Sequence, residues 1–492
     1  MSATDSLLIL SIDIGTSSTR SAFFDGQGRR IMGTTAQQTY PLYTTPDGGA
    51  ELEAGAILRA VTECLQKTLG VYRTTPLLKG RRIAGVGVSC FWHSFVGTNA
   101  KGEAITRVYT WADSRCRDDA AALRMKLKEK EVHARTGCML RASFWAAKLL
   151  WLRRIEPRLV TRAAQWMSPA EWLQLQLVGS ANCAHGMATG TGLYSPSKLG
   201  WDAQMLKTAG LTPEQLRPLS DEPVEVGIKL AQSFPELKGV PWYPAIGDGA
   251  ASSLGSGATR PGLAAVNVGT SAAVRVMRNG VKDAASPFGL FCYRVDEKRY
   301  LIGGAVSNAG NLRAWALREL RLTDGPELET ALANRTEPKH GLTVLPFLNA
   351  ERAPFWNEED TGVIHGLRQS STSLDILQAF TEATYQRLAL IYEMVCAGEK
   401  TPPKLIVSGG IQKSASSLQR LANVFGQPVY PNDEPEASLR GASVFVLEKL
   451  GVEIPEIRLT ASVRPQGRVA RMFAEERERH RAMEKMLTKQ KE

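Results

Sequence analysis

Hydrophobic and polar residues follow a distinctive pattern near the amino terminus. An apolar run leads into residues 12–17, where an aspartate lies between two isoleucines and Gly-Thr-Ser follows. Because apolar residues resume at 22–24, the pattern predicts strand, tight turn and strand, with Asp13 pointing away from the isoleucine face. Gly15 permits close approach of a ligand, and the hydroxyls and amides after it suit phosphate, with Asp13 nearby for a cation. An ordinary hairpin with a polar turn is the competing interpretation.

The same pattern recurs about half a chain further on. Residues 266–271 read apolar, Asn, apolar, Gly-Thr-Ser, again with apolar residues on either side. Two such hairpins at domain spacing predict two similar domains that face one nucleotide, with one turn gripping each part of its phosphate chain. Only the first copy carries a charge, Asp13 against Asn267, so we expect a metal ion nearer the first turn. A chance repeat of six residues is the alternative.

Helix and strand signals continue through the second half of the chain. Apolar residues between 377 and 395 recur at helical spacing, residues 404–407 predict a short strand, and residues 414–425 predict a helix. Ser408-Gly409-Gly410 lies between that strand and that helix, where α/β proteins receive nucleotides. The alternative is a plain strand-to-helix turn with Ser414 as the N-cap.

The length of the chain predicts more than one domain. A chain of 492 residues is too long for one ordinary core. The turn-rich residues 257–262 precede the second hairpin and indicate a boundary. We therefore predict an amino-terminal domain over residues 1–258, a carboxy-terminal domain over 259–455 and a charged helical tail over 456–492, solvated from about residue 460.

Composition and charge argue against several classes of protein. No apolar run approaches the roughly 18 residues of a membrane span, and a signal peptide is not evident, so we expect a cytoplasmic protein without membrane contact. Seven scattered cysteines without a CxxC pair indicate reduced thiols, and six histidines without ligand spacing argue against zinc. The net charge of +11 alternates in sign along residues 124–135, which is typical of a solvated helix face. We expect no nucleic acid partner and only a mild preference for anionic small substrates.

One carboxylate is a candidate for catalysis. Asp248 lies between two glycines at the predicted start of a helix and just before the boundary, so it should line the cleft between the halves. An aspartate there is often only an N-cap. The glycines would clear side chains from around the carboxylate and allow a substrate to approach. Phosphoryl transfer to a hydroxyl needs a carboxylate that orients the hydroxyl and accepts its proton, with donors and a cation holding the phosphates.

Several segments together resemble the FGGY carbohydrate kinases, whose fold is related to actin, hexokinase and Hsp70. The matching segments, in the family's order and over nearly the whole chain, are IDIGTSSTR (12–20), WHSFVG (92–97), TWADSR (110–115), GDGAASSLGSGA (247–258), VNVGTSAAV (266–274), GGAVSNAGNLRAW (303–315), ERAPFWNEEDTGVIHGL (351–367) and SGGIQKSASSLQRLANVFGQPV (408–429). Residues 91–94 and 351–354 look most like the gluconate kinases of the family. The resemblance implies an α/β fold of two actin-like (ribonuclease H-like) domains with a nucleotide and sugar cleft between them.

The resemblance also implies roles for individual residues, with ATP and Mg²⁺ as cofactors. Asp248 is the expected catalytic base, and Asp13 and Asp248 are expected near Mg²⁺. The residues expected to bind ATP are Thr16, Ser17, Arg20, Gly269, Thr270, Gly310, Gly409, Gly410 and Ser414. The residues expected to contact the sugar are Trp92, His93, Trp111, Asp113 and Asp248. His93 could donate to a sugar hydroxyl and Asp113 could accept from one; a buried core histidine and plain core tryptophans are the alternatives.

Three residues near the expected cleft depart from the family pattern. Ala350 replaces the glycine of the GERAP motif of gluconate kinases, and Ser253 replaces an asparagine that commonly follows the catalytic aspartate. Ser143 lies where glycerol kinases place a tyrosine that contacts the sugar. These departures bear on the identity of the sugar more than on the chemistry.

The function that the resemblance implies is ATP-dependent phosphorylation of a small sugar acid or polyol, foremost gluconate to 6-phosphogluconate. A xylulokinase-like pentulose kinase is the alternative within the enzyme class. A non-catalytic actin-like switch that binds ATP or sugar is the alternative outside it. The oligomeric state stays open, with a homodimer as one option.

Overall fold

The computed structural model describes residues 6–349, 351–432, 434–457, 459 and 462–489. In chain order, helices α1 to α16 are Ala54–Thr74, Arg117–Lys126, Glu129–Thr136, Trp145–Ile155, Pro157–Arg162, Pro169–Val178, His185–Thr189, Ala203–Ala209, Ile228–Ser233, Asp248–Gly255, Gly310–Glu319, Pro326–Ala333, Ser373–Val395, Ala415–Phe425, Ala437–Lys449 and Gly467–Lys489. Strands β1 to β22 are Leu7–Ile14, Ser18–Asp25, Ala36–Thr39, Tyr43–Thr44, Ala50–Leu52, Arg82–Cys90, Val96–Thr98, Val108–Tyr109, Gln165–Met167, Tyr194–Ser195, Gly200–Trp201, Val224–Glu225, Pro241–Trp242, Ile246–Gly247, Leu263–Val268, Ala272–Asn279, Phe291–Arg294, Arg299–Val306, Thr343–Leu345, Val363–His365, Lys404–Ser408 and Val429–Pro431. Within these residues, no helix is both long enough and apolar enough to cross a membrane.

Each half of the chain contains a mixed β-sheet built around one of the two predicted hairpins. In the first sheet β1 pairs antiparallel with β2 and parallel with β6. Its strand order is β12-β13-β6-β1-β2-β3, with β14 also beside β6. In the second sheet β15 pairs antiparallel with β16 and parallel with β21, in the order β17-β18-β16-β15-β21-β22. Both predicted hairpins and the α/β class are confirmed.

Strand register extends the likeness between the two halves. Asp13 lies opposite Ser89 on the neighbouring parallel strand, and its carboxylate accepts a hydrogen bond from that hydroxyl at 2.8 Å. Asn267 lies opposite Ser408 in the same way, and its amide donates to that hydroxyl at 3.1 Å. The likeness therefore includes a third strand in each sheet, which a chance match of six residues does not explain.

The helices predicted in the second half are confirmed, and the solvated helix face predicted at residues 124–135 is confirmed too, since the charged residues there are exposed or half-buried. Helix α13 covers the apolar repeat, and Ser414 caps α14 by accepting from the Ser417 amide at 3.1 Å. Residues 124–135 do not form one helix, because they are divided between α2 and α3. Val132 and His133 lie on the buried face of α3, whereas its charged residues are exposed or half-buried.

Helix α15 connects the two halves. It comes from the second half of the sequence, yet it packs along α10 and against β1 and β6. Its residues Val444 and Phe445 join the core of the first sheet. The two helices approach closely at a glycine, since a β-carbon on Gly441 would lie 1.8 Å from the Ala251 carbonyl oxygen. The boundary at residue 258 stays a prediction, but α15 packs with the domain that precedes it.

Helix α16 is not the solvated tail that its charge suggests. The buried residues on its inner face are Val469, Phe473, Glu476, His480, Met483 and Glu484. Val469 and Phe473 belong to the core of the second sheet. Arg477 on the same helix pairs with Glu393 of α13 at 2.5 Å, so charged residues also hold the helix in place. The charged composition of the helix suggested a solvated surface, and it outweighed the few apolar residues that recur at helical intervals among the arginines and glutamates.

A polar cluster lies beneath α16. His340, Glu382 and Glu476 bring potential metal-ligand atoms within 4.8 Å of one another. His340 accepts from the Leu342 amide at Nδ1 over 3.0 Å, so its proton lies on Nε2, which donates to Glu382 over 2.8 Å. Because a nitrogen that carries a proton cannot ligate a metal, we interpret the cluster as a hydrogen-bonded part of the core.

Replacing Glu476 with glutamine should stabilise the protein at alkaline pH. Burial raises the pKa of Glu476 to about 8, and the Glu382 carboxylate adds to the rise while Arg479 opposes it. Because the folded-state pKa is raised, ionisation of this carboxyl destabilises the fold progressively as the pH climbs from about 4.5 to about 8. We expect E476Q to raise Tm near pH 8.5 by several degrees and to change it little near pH 5, in thermal unfolding followed by circular dichroism. Equal shifts at both pH values would contradict this prediction.

Candidate active site

Asp13 and Asp248 lie at the same edge of the first sheet. Strands β1, β6 and β14 run parallel, and Ser89 on β6 is opposite both Asp13 and Ile246. Because the carboxyl ends of parallel strands meet at one edge, Asp13 near the end of β1 and Asp248 directly after β14 open into the same cleft. Asp248 is the first residue of α10 and Gly247 is its N-cap, so the interpretation of Asp248 as the N-cap is wrong.

Burial raises the pKa of both carboxyls. The pKa of Asp13 is raised to about 6 by burial first, with the Asp248 and Glu436 carboxylates adding to the rise. The Ser89 hydroxyl and Arg20 oppose it. Burial also raises the pKa of Asp248, although nearby cations hold the rise back. Two carboxyls with raised pKa values are stronger bases than ordinary aspartates, and their combined negative charge favours a bound cation.

Two arginines, neither of them predicted as a site residue, face Asp248. Arg275 on β16 and Arg352 in the ERAP motif are half-buried, and both lower the pKa of Asp248. Among the described residues neither guanidinium has an ion pair or hydrogen bond, and each Nε is buried without a partner. Arg352 lies over the rings of Trp111 and Trp356, 5.8 and 5.6 Å from their centroids. A buried guanidinium nitrogen without a partner is costly, so the site is suited to an anion. An arginine in the middle of the otherwise apolar residues 272–277 of β16 was the signal that could have revealed Arg275.

The glycines beside Asp248 serve packing rather than open access. A β-carbon on Gly247 would lie 1.8 Å from the Trp92 indole, and one on Gly249 would lie 2.6 Å from it. Trp92 is buried, and its Nε1 donates to the Gly186 carbonyl at 2.9 Å. Trp92 therefore forms the wall behind Asp248, and the expectation that the glycines clear space for the substrate is wrong.

His93 is an acceptor rather than the expected donor. It has a left-handed backbone with φ of 65°, and its Nδ1 lies 2.5 Å from the Gly190 carbonyl oxygen, so Nδ1 carries the proton. Burial lowers the pKa of His93 to about 3, which leaves the ring neutral and Nε2 without a proton. Phe144 and Tyr293 pack edge-on against the ring at 4.9 and 5.6 Å. A sugar hydroxyl at Nε2 would have to donate to His93.

Trp111 and Asp113 take different positions although they are close in sequence. The Trp111 Nε1 donates to the Thr16 hydroxyl at 3.1 Å, which joins the expected sugar side to the first phosphate turn. Asp113 is 2% exposed, and its two oxygens accept from Arg115 at 3.1 and 2.5 Å. Arg115 also pairs with Glu51. Because Asp113 is buried and its carboxylate is engaged by Arg115, we propose that it holds this loop rather than contacts a sugar.

Five of the residues expected to bind ATP line one cleft of the second domain. The cleft has a volume of about 850 Å³, and those residues are Gly269, Thr270, Gly310, Gly410 and Ser414. The Gly310 amide donates to the Gly269 carbonyl at 2.9 Å, and a β-carbon on Gly310 would lie 2.6 Å from that oxygen. Gly409 has φ of 94°, and its β-carbon would lie 2.5 Å from the Val268 carbonyl oxygen. Both glycines are therefore required by backbone contacts that shape the cleft.

Glu329 is a polar residue of this cleft that was not predicted. It accepts hydrogen bonds from the hydroxyls of Ser414 at 2.5 Å and Ser416 at 3.1 Å. Its other oxygen pairs with Arg313 at 3.0 Å. Its position on α12, far from Ser414 in sequence, explains why no local pattern pointed to it.

The first predicted phosphate turn lies beside Asp13. The arginine expected to bind phosphate there, Arg20, already forms an ion pair. Ser17 is exposed and Thr16 is half-buried. Arg20, directly opposite Asp13 on β2, forms an ion pair with Glu436 at 2.6 Å. Glu436 immediately precedes α15 and was not predicted. Arg20 would have to exchange Glu436 for a phosphate in order to act as expected.

The three departures from the family pattern fall in different places. Ser253 is fully buried on α10, and its hydroxyl donates to the Gly249 carbonyl at 2.8 Å, so it faces the helix rather than the cleft. Ser143 is half-buried, and its carbonyl accepts from Lys148 at 2.6 Å. Ala350 lies outside the described residues.

Comparison with known proteins identifies the family. The model of the FGGY carbohydrate kinase N-terminal domain matches residues 8–255, and that of the C-terminal domain matches residues 264–446. The chain belongs to the FGGY family of carbohydrate kinases. Carbohydrate kinases of this family use ATP, typically with Mg²⁺, and the kinase assignment implied by the sequence motifs is confirmed at that level.

Relatives with different sugars are similar to this FGGY kinase. The gluconokinase of Bacillus subtilis is 28% identical over 463 residues, which cover 90% of this chain and 88% of the relative. The xylulose kinase of Escherichia coli is 26% identical, over 85% of each chain. Among solved structures, a xylulose kinase and a gluconate kinase from Lactobacillus acidophilus have TM-scores of 0.88 and 0.87, at 24% identity and 98% coverage of both chains. These structures confirm the fold of two actin-like domains.

Proposed function

We propose that this FGGY kinase phosphorylates a small sugar acid, and that the acceptor is gluconate, giving 6-phosphogluconate. The observation that carries the proposal is the pair of unpaired guanidiniums of Arg275 and Arg352 beside Asp248. A neutral sugar brings no group to pair with them, whereas an aldonate brings a carboxylate that a guanidinium binds well. The similarity to a gluconokinase supports the same acceptor.

The cleft of the second domain supports ATP as the phosphoryl donor. Its apolar lining, which includes Leu312 and Phe380, suits an adenine ring. Glu329 beside Ser414 offers a carboxylate for ribose hydroxyls. The amides of the turn at Gly269 and Thr270 would bind phosphate.

Asp13 fits a magnesium ion. One of its oxygens accepts from Ser89, and the other has no hydrogen-bond partner among the described residues. The cation opposite it, Arg20, is engaged by Glu436. Magnesium prefers such carboxylate oxygens. When bound, the ion would offset the negative charge of the phosphates.

Asp248 would act as the general base. Its Oδ1 accepts from the Gly249 amide at 2.7 Å, which fixes the carboxylate and leaves the second oxygen for the acceptor hydroxyl. Its raised pKa makes it a stronger base than an ordinary carboxyl, while Arg275 opposes part of that rise. The carboxylate would then orient the attacking hydroxyl and take up its proton.

A panel of acceptors tests the proposal. We expect kcat/KM for gluconate at least about tenfold above that for D-xylulose or glycerol, which corresponds to about 1.4 kcal/mol. The measurement is ADP release coupled to a spectrophotometric readout at fixed ATP and Mg²⁺. Turnover of a neutral ketose or polyol at an equal or higher kcat/KM would exclude the sugar-acid assignment, while the family assignment would stand.

A pentulose kinase is the second candidate. His93 favours it, because a neutral ring with a bare Nε2 suits a sugar hydroxyl and requires no charge on the acceptor. The similarity to xylulose kinases also supports it. The same panel separates the two candidates, since a pentulose kinase would prefer D-xylulose.

A further inference from the structure

A chain of buried ion pairs connects the tail helix with the loop that carries Arg352. Arg387, on α13, is buried and pairs through its two terminal nitrogens with different carboxylates. One is Glu484 of α16, at 2.6 Å. The other is Glu351, the residue before Arg352. The connection joins residues that lie far apart in sequence.

Glu351 organises the acceptor loop, which we define as residues 351–357. Its two carboxylate oxygens accept from the backbone amides of Phe355 at 3.3 Å and Asn357 at 3.1 Å. Its own amide donates to the Asn357 carbonyl at 3.2 Å. The loop therefore wraps around the Glu351 side chain, and Arg141 also holds it by donating to the Trp356 carbonyl at 2.8 Å. Because Glu351 is bonded directly to Arg352, a change in the position of Glu351 acts on Arg352 first.

Arg387 is held in one orientation. The guanidinium is planar, so two carboxylates on different nitrogens fix its plane more firmly than one does. It also lies over the rings of Phe347 and Phe355, 5.0 and 5.3 Å from their centroids. Loss of Glu484 would leave a buried guanidinium with a single carboxylate partner and freedom to turn.

We propose that α16 positions Arg352 for the acceptor through Glu484, Arg387 and Glu351. The three are positioning residues, because the contacts that define them run from Glu484 to Arg387 to Glu351 and the loop backbone rather than to Asp248. The idea rests on the proposed function only in taking the surroundings of Arg352 as the acceptor site. The tail helix would thus control affinity for the acceptor, whichever small carbohydrate that is.

The experiment removes one charge at a time from the full-length protein. Glu484→Gln breaks the outer ion pair, and Glu393→Gln is the matched control, because Glu393 pairs with Arg477 and Arg481 of the same helix without reaching the acceptor loop. For Glu484→Gln we expect KM for the acceptor to rise about tenfold, with kcat and KM for ATP changed less than about twofold. Glu393→Gln should leave all three parameters within about twofold.

The acceptor used is the one that the wild-type enzyme turns over best, so failure of gluconate as a substrate leaves this test intact. Equal effects of both variants on the acceptor KM would mean that the tail helix contributes only to general stability. That result would overturn the proposal. An unchanged acceptor KM in a folded Glu484→Gln protein would also overturn it. If that variant does not fold, Glu484→Asp, which keeps the charge on a shorter side chain, should show a smaller rise in acceptor KM, and no rise would refute the idea.

Discussion

Replacing Asp248 with asparagine should lower kcat by about 10² to 10⁴, the usual effect of removing a general base. Asparagine keeps the shape of the side chain and can still accept from the Gly249 amide, so α10 and the packing against Trp92 should persist. Affinity for ATP should stay nearly unchanged, because the cleft proposed to bind the nucleotide lies in the second domain. Steady-state kinetics with an independent measurement of ATP binding would check both expectations.

The pH dependence gives the same substitution a second readout. A base acts when deprotonated, and burial raises the pKa of Asp248 above its ordinary value of 3.8. The wild-type rate should therefore fall as the pH drops through this raised pKa, and Asp248→Asn should lose that part of the profile.

Asp13→Asn is the matched control for Asp248→Asn. It should weaken the use of Mg²⁺ and raise the Mg²⁺ concentration needed for half-maximal rate. If Asp248→Asn retains more than about a tenth of the wild-type kcat, a loss too small for a removed base, Asp248 is a structural residue.

Local patterns in the sequence predicted the two hairpins, whereas the proximity of Asp13 and Asp248 was implied by the family resemblance. Alternation of apolar and polar residues and a Gly-Thr-Ser turn are properties of a few consecutive residues, and they survive in the structure with the expected pairing. The strand and the helix on either side of Gly409 were predicted correctly for the same reason. Backbone geometry at a turn restricts the residues that can occupy it.

Features that depend on distant parts of the chain could not be predicted in this way. The protonation of His93 follows from a carbonyl at Gly190, and the ion pair of Arg20 follows from Glu436, 416 residues further along the chain. The buried face of α16 depends on the core of the second sheet, which its charged sequence does not display. Interactions between elements decide such details, and a residue type alone does not reveal its partner.

Replacing Arg352 with glutamine should abolish the preference for a sugar acid. Loss of one partner of a buried charge pair costs about 2 to 5 kcal/mol, so kcat/KM for gluconate should fall by about 30-fold or more. A neutral acceptor such as D-xylulose has no carboxylate that could pair with Arg352. Its kcat/KM should therefore change by less than about fivefold. The ratio of the two values therefore isolates recognition of the acceptor charge from any general damage.

Arg275→Gln is the comparison that separates the roles of the two arginines. Arg275 has the larger effect on the pKa of Asp248, and its Nε would lie 2.7 Å from a β-carbon on Gly249. Its removal should raise the pKa of Asp248 and slow every acceptor at moderately acidic pH, whereas Arg352→Gln should act mainly on gluconate. If Arg352→Gln slows gluconate and D-xylulose equally, Arg352 serves the phosphoryl group or the base. In that case the carboxylate of a sugar acid has no dedicated partner at this position, and the acceptor must be assigned from the panel alone.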